Sequence, residues 1–518
     1  MTRTSGETTT RPLPDHARVA IVGSGFSGLG MAIRLQQAGQ DDFVVLERGP
    51  SVGGTWRDND YPGAACDVPS RLYSFSFAPN PDWTRSFSPQ PEILRYLRGC
   101  AERFGVNEHL HTDTRVEHAA WDGDARVWRV RTSRGALTAE VLVSAAGALS
   151  DPKNPEIPGL NTFTGTTFHS AAWNHDHDLA GESVAVIGTG ASAIQIVPKI
   201  QPAAKRLTVF QRTPAWIIPR TDRPFTRIEK AVYTRFPKVE RLARAAIFWG
   251  RESYVLGFTR KQALMSVPDR IARRHLAHQV PDLELRTKLT PDYRIGCKRI
   301  LISNDFYPAL AAPNADVVTE PITEIRERAV VTADGVEHPA DAIIFATGFQ
   351  VTPPPIAEAI HGCDGVSLSA VWERDGMKAH RGTTMAGFPN LFMLVGPNTG
   401  LGHTSMVYVI EAQIQYVLEA LSAMDQRDLA TVAPRREVQE RFNDGLQHRL
   451  ADSIWQTGGC ASWYLDQHGN NVTLWPDFTF RFKALTQRFD AENYDLEPAG
   501  HGAAGKAGVT RATVGAQA

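Results

Sequence analysis

Two glycine-rich turns at matched spacing constrain this chain more than any other feature. The first lies in RVAIVGSGFSGLGMAIRLQQAG, where Gly23, Gly25 and Gly28 follow an apolar strand at 19–22 and open a helix with Leu29, Ala32 and Ile33 on one face. The second lies in SVAVIGTGASAIQIVPKI, where Gly188, Gly190 and Ala193 take the same places. Each is followed by another apolar strand, FVVLERG and LTVFQRT. Glycine there permits a tight strand-to-helix bend, close approach of backbone to a pyrophosphate, and close packing of helix on strand. The helix start then offers free N–H groups and the positive end of its dipole to phosphate. The first glycines stand 188 − 23 = 165 residues apart, too far for a solenoid period, so these are two separate βαβ units.

The same offset leads from each first glycine to a charged residue: 47 − 23 = 24 and 212 − 188 = 24. Glu47 suits the hydroxyls of an unmodified ribose and repels a 2′-phosphate. Arg212 does the reverse, with bidentate geometry. The first site therefore reads as FAD-binding and the second as NADPH-binding. Two redox dinucleotides in one chain imply hydride transfer from nicotinamide to flavin. No CxxxxC is present to pass electrons to a disulfide, which leaves O2 as the acceptor.

At 518 residues the chain exceeds one ordinary core and points to about three domain-sized units. The reading is α/β, with two Rossmann-like dinucleotide-binding domains, the second inserted in the first and carrying a helical insertion. Residues 1–16 read as a disordered arm, 17–150 with 380–497 as a discontinuous FAD domain, and 151–220 with 296–379 as the NADPH domain. Residues 221–295, charged and with helical spacing of apolar positions, read as the helical insertion, and the Gly/Ala-rich 498–518 as a flexible tail.

Lys+Arg 55 against Asp+Glu 56 gives a net charge of -1, so bulk charge draws the chain to neither nucleic acid nor anionic lipid. No stretch has the apolar length of a bilayer span, and the polar start MTRTSGETTTRPLPDHA lacks a signal core. The five cysteines are scattered without a CxxC pair, so no metal site is expected. The expectation is a soluble cytoplasmic protein with reduced thiols; its oligomeric state is left open.

Further segments carry a resemblance. Phe163, Gly165, His169 and Trp173 stand in the order F-x-G-xxx-H-xxx-W, with Asn174 following. Gly53-Gly54-Thr55-Trp56 is followed by Tyr61-Pro62-Gly63 and Asp67. GCKR occurs at 296–299, FATGF at 345–349, GFPNLF at 387–392, GPN at 396–398 and SWY at 462–464. Over nearly its whole length the chain resembles the class B flavoprotein monooxygenases, and among them the Baeyer–Villiger monooxygenases. Asn174 departs from the family's usual Pro or Asp after Trp173.

The resemblance implies a function: NADPH- and O2-dependent conversion of ketones to esters or lactones through a peroxide on the flavin C4a carbon, with sulfoxidation as a side activity. It makes Arg299 the fixed cation beside the peroxide and Asp67 its carboxylate partner. Arg suits that place because it does not give up its proton at working pH. The resemblance also places Thr55, Trp56 and Asp67 at the cofactors, and Lys298 at the 2′-phosphate with Arg212 and Thr213. Trp463 resembles a mobile-loop residue on bound nicotinamide cofactor. Phe163, Gly165, His169 and Trp173 form a linker that organises nicotinamide-domain movement.

Several readings stay open at this point. His403, in TGLGHTSMVY at 399–408, contacts substrate or caps a loop; Cys66 is a reactive thiol or a buried filler, the latter preferred. Rival functions are heteroatom oxygenation, a flavin-based redox sensor without turnover, and an NADPH oxidase that releases peroxide.

Overall fold

Apolar strands punctuated by the two glycine turns build two sheets, each with parallel strands at its centre, in a computed structural model that describes residues 11–499. Positions 1–10 of the expected arm and 500–518 of the expected tail lie outside the described residues. The arm's last residue, His16, already belongs to the first strand, and Pro498 ends the last one.

The first sheet runs Ile360–His361, Val116–Asp122, Val127–Thr132, Gly135–Ser144, His16–Val22, Phe43–Leu46 and Leu110–His111, with Leu391–Met393 also paired to Gly135–Ser144. His16–Val22 pairs in parallel with both neighbours, so its apolar residues are covered on two faces and read as a near-continuous run rather than an alternation. The helix Phe26–Gln37 packs its Leu29 and Ile33 into the same core as Ile414, Val417 and Leu421 of the long helix Met406–Arg427.

The second sheet is all parallel, in the order Ala315–Val318, Arg206–Phe210, Ser183–Ile187, Ala342–Phe345 and Thr166–His169. Its central strand, Ser183–Ile187, leads into the second glycine turn, where doubly wound sheets bind ligands.

One expected boundary moves. Residues 360–379 were assigned to the second sheet's domain, but Ile360–His361 pairs with Val116–Asp122 of the first. Leu368, Val371 and Trp372 also sit in one core with Trp121, Trp128 and Leu142. A two-residue strand leaves no periodicity to read, so only its partner assigns it.

The insertion comprises the helices Arg227–Arg235, Pro237–Glu252, Val255–Thr259, Ser266–Gln279 and Leu283–Lys288. Its first helix starts at a capping box. Thr226 Oγ1 accepts from the Glu229 N–H at 3.1 Å, and the Glu229 carboxylate accepts from the Thr226 N–H at 2.8 Å. Pro237 begins the second, where its missing N–H costs nothing. This second helix packs back on the first domain through Phe248, and Glu240 meets Arg71 at 3.2 Å in a buried pair. Among the described residues, no helix is long and apolar enough to cross a membrane.

Gly28 shows how closely the first turn is packed. A Cβ there would lie 1.9 Å from the Gly23 carbonyl oxygen, in backbone that cannot swing away. Gly28→Ala is therefore expected to push the helix off the strand at a cost of about 1–3 kcal/mol or more. Flavin retained through gel filtration and the melting temperature should fall together; a variant that keeps both would contradict the packing argument.

Candidate active site

Gly23 follows the first strand at φ 99°, and its N–H donates to the Leu46 carbonyl at 2.8 Å. A Cβ at this position would stand 2.7 Å from the Ala145 carbonyl oxygen. Gly25 occupies the N-cap of Phe26–Gln37 and supplies no side-chain cap, so the first-turn N–H groups stay available to an anion. Opposite lies Gly54 at φ 50°; a Cβ on it would be 3.0 Å from the Gly25 Cα, so two bare backbones face each other.

Glu47 follows the strand Phe43–Leu46 and is buried. Its carboxylate accepts from the Ser24 N–H at 2.9 Å, Ser24 Oγ at 2.6 Å, the Gly49 N–H at 2.7 Å and Arg57 Nη1 at 2.8 Å. Thr55 starts the short helix after Gly54, and Trp56 Nε1 donates to Tyr73 at 3.0 Å. An uncapped helix start, facing glycines and a carboxylate held beside them fit the pyrophosphate and ribose of FAD.

The second turn repeats this geometry. Gly188 has φ 113°, its N–H donates to the Phe210 carbonyl at 3.0 Å, and a Cβ would meet the Ala346 carbonyl oxygen at 2.5 Å. Gly190 faces open space, and Ala193 begins the helix Ala193–Ile200 fully buried. Arg212 is exposed, and the carbonyl of half-buried Thr213 accepts from Thr189 Oγ1 at 3.1 Å. Burial lowers the Lys298 pKa and the nearby charge of Arg212 lowers it further. Neither cation has a carboxylate within salt-bridge distance among the described residues. Asp292 offsets the lowering only in part and from beyond salt-bridge distance, and two neighbouring cations without an ion pair fit a 2′-phosphate.

Between these turns the segment with Tyr61 and Gly63 crosses to the second domain. Tyr61 donates to Gln195 Oε1 at 3.0 Å, and Gln195 Nε2 donates to the Ala65 carbonyl at 2.9 Å. The same segment delivers Asp67 to Arg299. Nε donates to Oδ2 at 2.6 Å and Nη2 to Oδ1 at 2.7 Å, a bidentate pair across 232 positions of sequence. The side chains are 35% and 28% exposed, so the pair remains partly open to solvent. Asp67's charge raises the Arg299 pKa further above its ordinary value, against burial. Burial pushes Asp67 up, but the charge and hydrogen bonds of Arg299 outweigh it, and the carboxyl titrates below its usual range.

Sequence reasoning missed a third charge at this place. Arg251, in the last turn of Pro237–Glu252, donates through Nη1 to the His403 carbonyl at 3.3 Å. Burial lowers its pKa, while Tyr254 and Asp67 act to raise it and Arg299 to lower it. The available signal was the inward stripe Glu240, Arg244, Ile247 and Arg251, spaced four, three and four apart. Tyr464 was passed over in the same way within SWY; it is buried beside Arg299, and burial raises its phenol pKa.

His403 is a packing residue here. Its Nε2 lies 2.9 Å from Glu252 Oε1 and 3.1 Å from Thr479 Oγ1, both buried. Cys66 is likewise buried in the first core, and burial pushes its thiol up. Phe163 packs against the second sheet, and a Cβ on Gly165 would lie 2.2 Å from the Asp341 carbonyl oxygen. His169 ends the edge strand opposite Phe345, accepts from the Ala171 N–H at 3.0 Å and has a pKa lowered by burial. Trp173 sits edge-on to Phe168 at 4.9 Å. None of these four hydrogen-bonds to Asp67 or Arg299.

The expectation of reduced thiols is overturned for one pair: Cys297 and Cys460 form a disulfide, while Cys66, Cys100 and Cys363 are free. Separated by 163 positions, the two half-cystines have no sequence spacing to mark them. The bridge ties the residue before Lys298 and Arg299 to the loop bearing Trp463, whose indole is half exposed and edge-on to Tyr464 at 4.6 Å. Cys460→Ser is expected to lower stability by about 2–4 kcal/mol, chiefly by freeing the unfolded chain. Equal unfolding midpoints for wild type and variant under non-reducing conditions would contradict this. Among the described residues, no group of three or more His, Cys, Asp or Glu could hold a metal.

Comparison with known proteins agrees with this geometry. A pyridine nucleotide-disulphide oxidoreductase family model matches residues 20–247. A Baeyer–Villiger monooxygenase of Streptomyces coelicolor is 52% identical over 508 residues, 97% of this chain and 98% of the relative. Cyclohexanone monooxygenase from Rhodococcus sp. Phi1 bound to NADP+ superposes with a TM-score of 0.83 at 28% identity, covering 94% of this chain and 100% of the other. OTEMO in complex with FAD and NADP gives 0.84 at 25% identity, covering 93% and 99%. By near-complete alignment at that identity, and with the paired turns and the Asp67–Arg299 pair in place, the chain belongs to the Baeyer–Villiger monooxygenase family.

Proposed function

We propose that this FAD- and NADPH-dependent monooxygenase inserts one oxygen atom of O2 beside a ketone carbonyl, with Arg299 as the fixed cation at the reacting oxygen. The bidentate Asp67–Arg299 pair, joining the segment after the first turn to the segment that carries Lys298, carries the assignment. Bound FAD, reduced by NADPH, supplies the two-electron activation of O2. Arg299 presents a charge whose proton does not transfer at working pH. Negative charge developing on oxygen during attack at the carbonyl is thereby stabilised without being quenched.

Asp67 fixes the plane of that guanidinium, and Arg251 adds positive potential from the insertion. Gly23, Gly25, Gly28, Glu47, Thr55 and Trp56 hold the flavin nucleotide. Gly188, Gly190 and Ala193 receive the second pyrophosphate, and Arg212, Thr213 and Lys298 its 2′-phosphate. Trp463, half exposed on the bridged loop, would contact the nicotinamide cofactor. Phe163, Gly165, His169 and Trp173 lie on and around the edge strand of the second sheet and would organise movement of the nicotinamide domain.

The test is product analysis after incubation with NADPH, labelled O2 and a panel of linear, cyclic and aryl ketones plus a thioether. Esters or lactones carrying one labelled atom are expected, with sulfoxide as a minor product. Sulfoxide or hydrogen peroxide alone would transfer the chain to heteroatom oxygenation or NADPH oxidation.

A further inference from the structure

The chain as a whole is almost neutral, but its charge is unevenly placed. Residues 227–288 hold 14 Lys and Arg against 6 Asp and Glu, a local charge of 14 − 6 = +8 in a protein of net charge -1. Five of the six acids are also paired, among them Glu284 with Lys288 at 3.1 Å. Glu240 and Glu252 point inward to Arg71 and His403, Glu229 pairs with Arg223, and Asp269 with Arg273. Arg244 and Arg251 also point inward, to the Arg71 and His403 carbonyls, which leaves the outward surface of the insertion with an excess of cations.

It is also apolar. Ten of the fourteen large hydrophobic side chains exposed among the described residues lie in this segment, far more than its share of the chain, so they form a local feature rather than scatter. The helix Pro237–Glu252 orders them. At about 100° per residue, Lys238, Leu242, Ala245 and Trp249 fall in one stripe about 60° wide, with Arg241 and Val239 on its flanks. Leu242 is 71% and Trp249 58% exposed. The opposite stripe, with Glu240, Arg244, Ile247 and Arg251, faces the protein, and Phe248 lies at its edge. An ordinary surface helix keeps polar residues outside; this one is apolar there as well, with Lys238 and Arg241 free of any carboxylate within salt-bridge distance among the described residues.

We infer that the outward face of Pro237–Glu252 docks on an anionic lipid surface. Leu242, Val239 and Trp249 enter the headgroup boundary while Lys238 and Arg241 reach anionic headgroups, the arrangement of a helix that lies in a membrane interface without crossing it. A second copy of the chain is disfavoured as occupant, because a two-fold contact would bring two faces of the same positive sign together. The neutral bulk charge hid this face by averaging it with the acidic remainder.

The test is sedimentation of the full-length, FAD-bound protein with vesicles of phosphatidylcholine alone or mixed equally with phosphatidylglycerol, at low and high salt. At least tenfold tighter binding to the anionic vesicles is expected, falling as salt rises. Leu242→Glu and the paired Lys238→Glu, Arg241→Glu variants are each expected to reduce it severalfold while NADPH oxidation is unchanged. Equal, weak sedimentation with both vesicle types would overturn the inference. So would undiminished binding by the variants. Concentration-dependent dimerisation abolished by Leu242→Glu, without vesicle binding, would assign the face to a second copy. Because vesicle binding is read independently of turnover, failure here leaves the ketone reading standing, and failure there leaves this one.

Discussion

Arg299→Ala is expected to keep FAD bound and reducible by NADPH while ester formation falls by about 100- to 1000-fold, the usual loss when one preorganised group facing developing negative charge is removed. NADPH consumption should persist and appear as hydrogen peroxide, because reduction precedes the step that needs the cation. Arg299→Lys keeps the charge but loses the two-pronged hold of Asp67, so partial recovery is expected at most.

The variant also leaves Asp67 without its partner, and the sign of the resulting pH effect follows from the pair. In the wild type, the folded-state pKa of Asp67 is depressed. Its contribution to stability is thus complete above the ordinary carboxylate pKa and is lost as pH falls through the folded value. Without Arg299 burial dominates and the carboxyl titrates above its unfolded value, so the sign reverses and protonation of Asp67 on acidification favours the folded state. Melting temperature against pH should show the Asp67 part of the acid loss reversed in Arg299→Ala and absent in Asp67→Asn. Undiminished ester formation by Arg299→Ala would remove the assignment outright.

The second large effect concerns cofactor choice. Arg212→Ala is expected to raise KM for NADPH about 10- to 100-fold, the range of a charge-assisted hydrogen bond worth about 1.5–3 kcal/mol. KM for NADH should change by about twofold or less, since NADH lacks the phosphate. Lys298, relieved of a like charge, recovers part of its depressed pKa and holds some residual preference. An equal rise for both cofactors would mean that Arg212 shapes the turn rather than reads the phosphate.

What could be read from sequence follows the range over which each signal acts. The turns at Gly23 and Gly188 are local. A strand, a positive φ and a helix start within a dozen residues leave their mark in residue type, and the structure finds those backbone conformations where expected. Glu47 and Arg212 follow at one strand's remove. Asp67 and Arg299 were legible only through resemblance, since a lone carboxylate and one half of a basic pair are common on any surface. For Arg251 the helical spacing with Glu240, Arg244 and Ile247 marks a stripe, but an arginine in a basic helix is ordinary until the helix is known to turn that face inward.

The sequence by itself determined the two dinucleotide turns, their opposite charge preferences and the family, because these depend on backbone geometry and side-chain type within about two dozen residues. Only the tertiary structure decided that Ile360–His361 joins the first sheet, that Cys297 bonds Cys460, and which face of Pro237–Glu252 is left outside. Each joins or separates groups far apart in the chain. Such contacts are set by how packed elements share a core, and no local pattern records them.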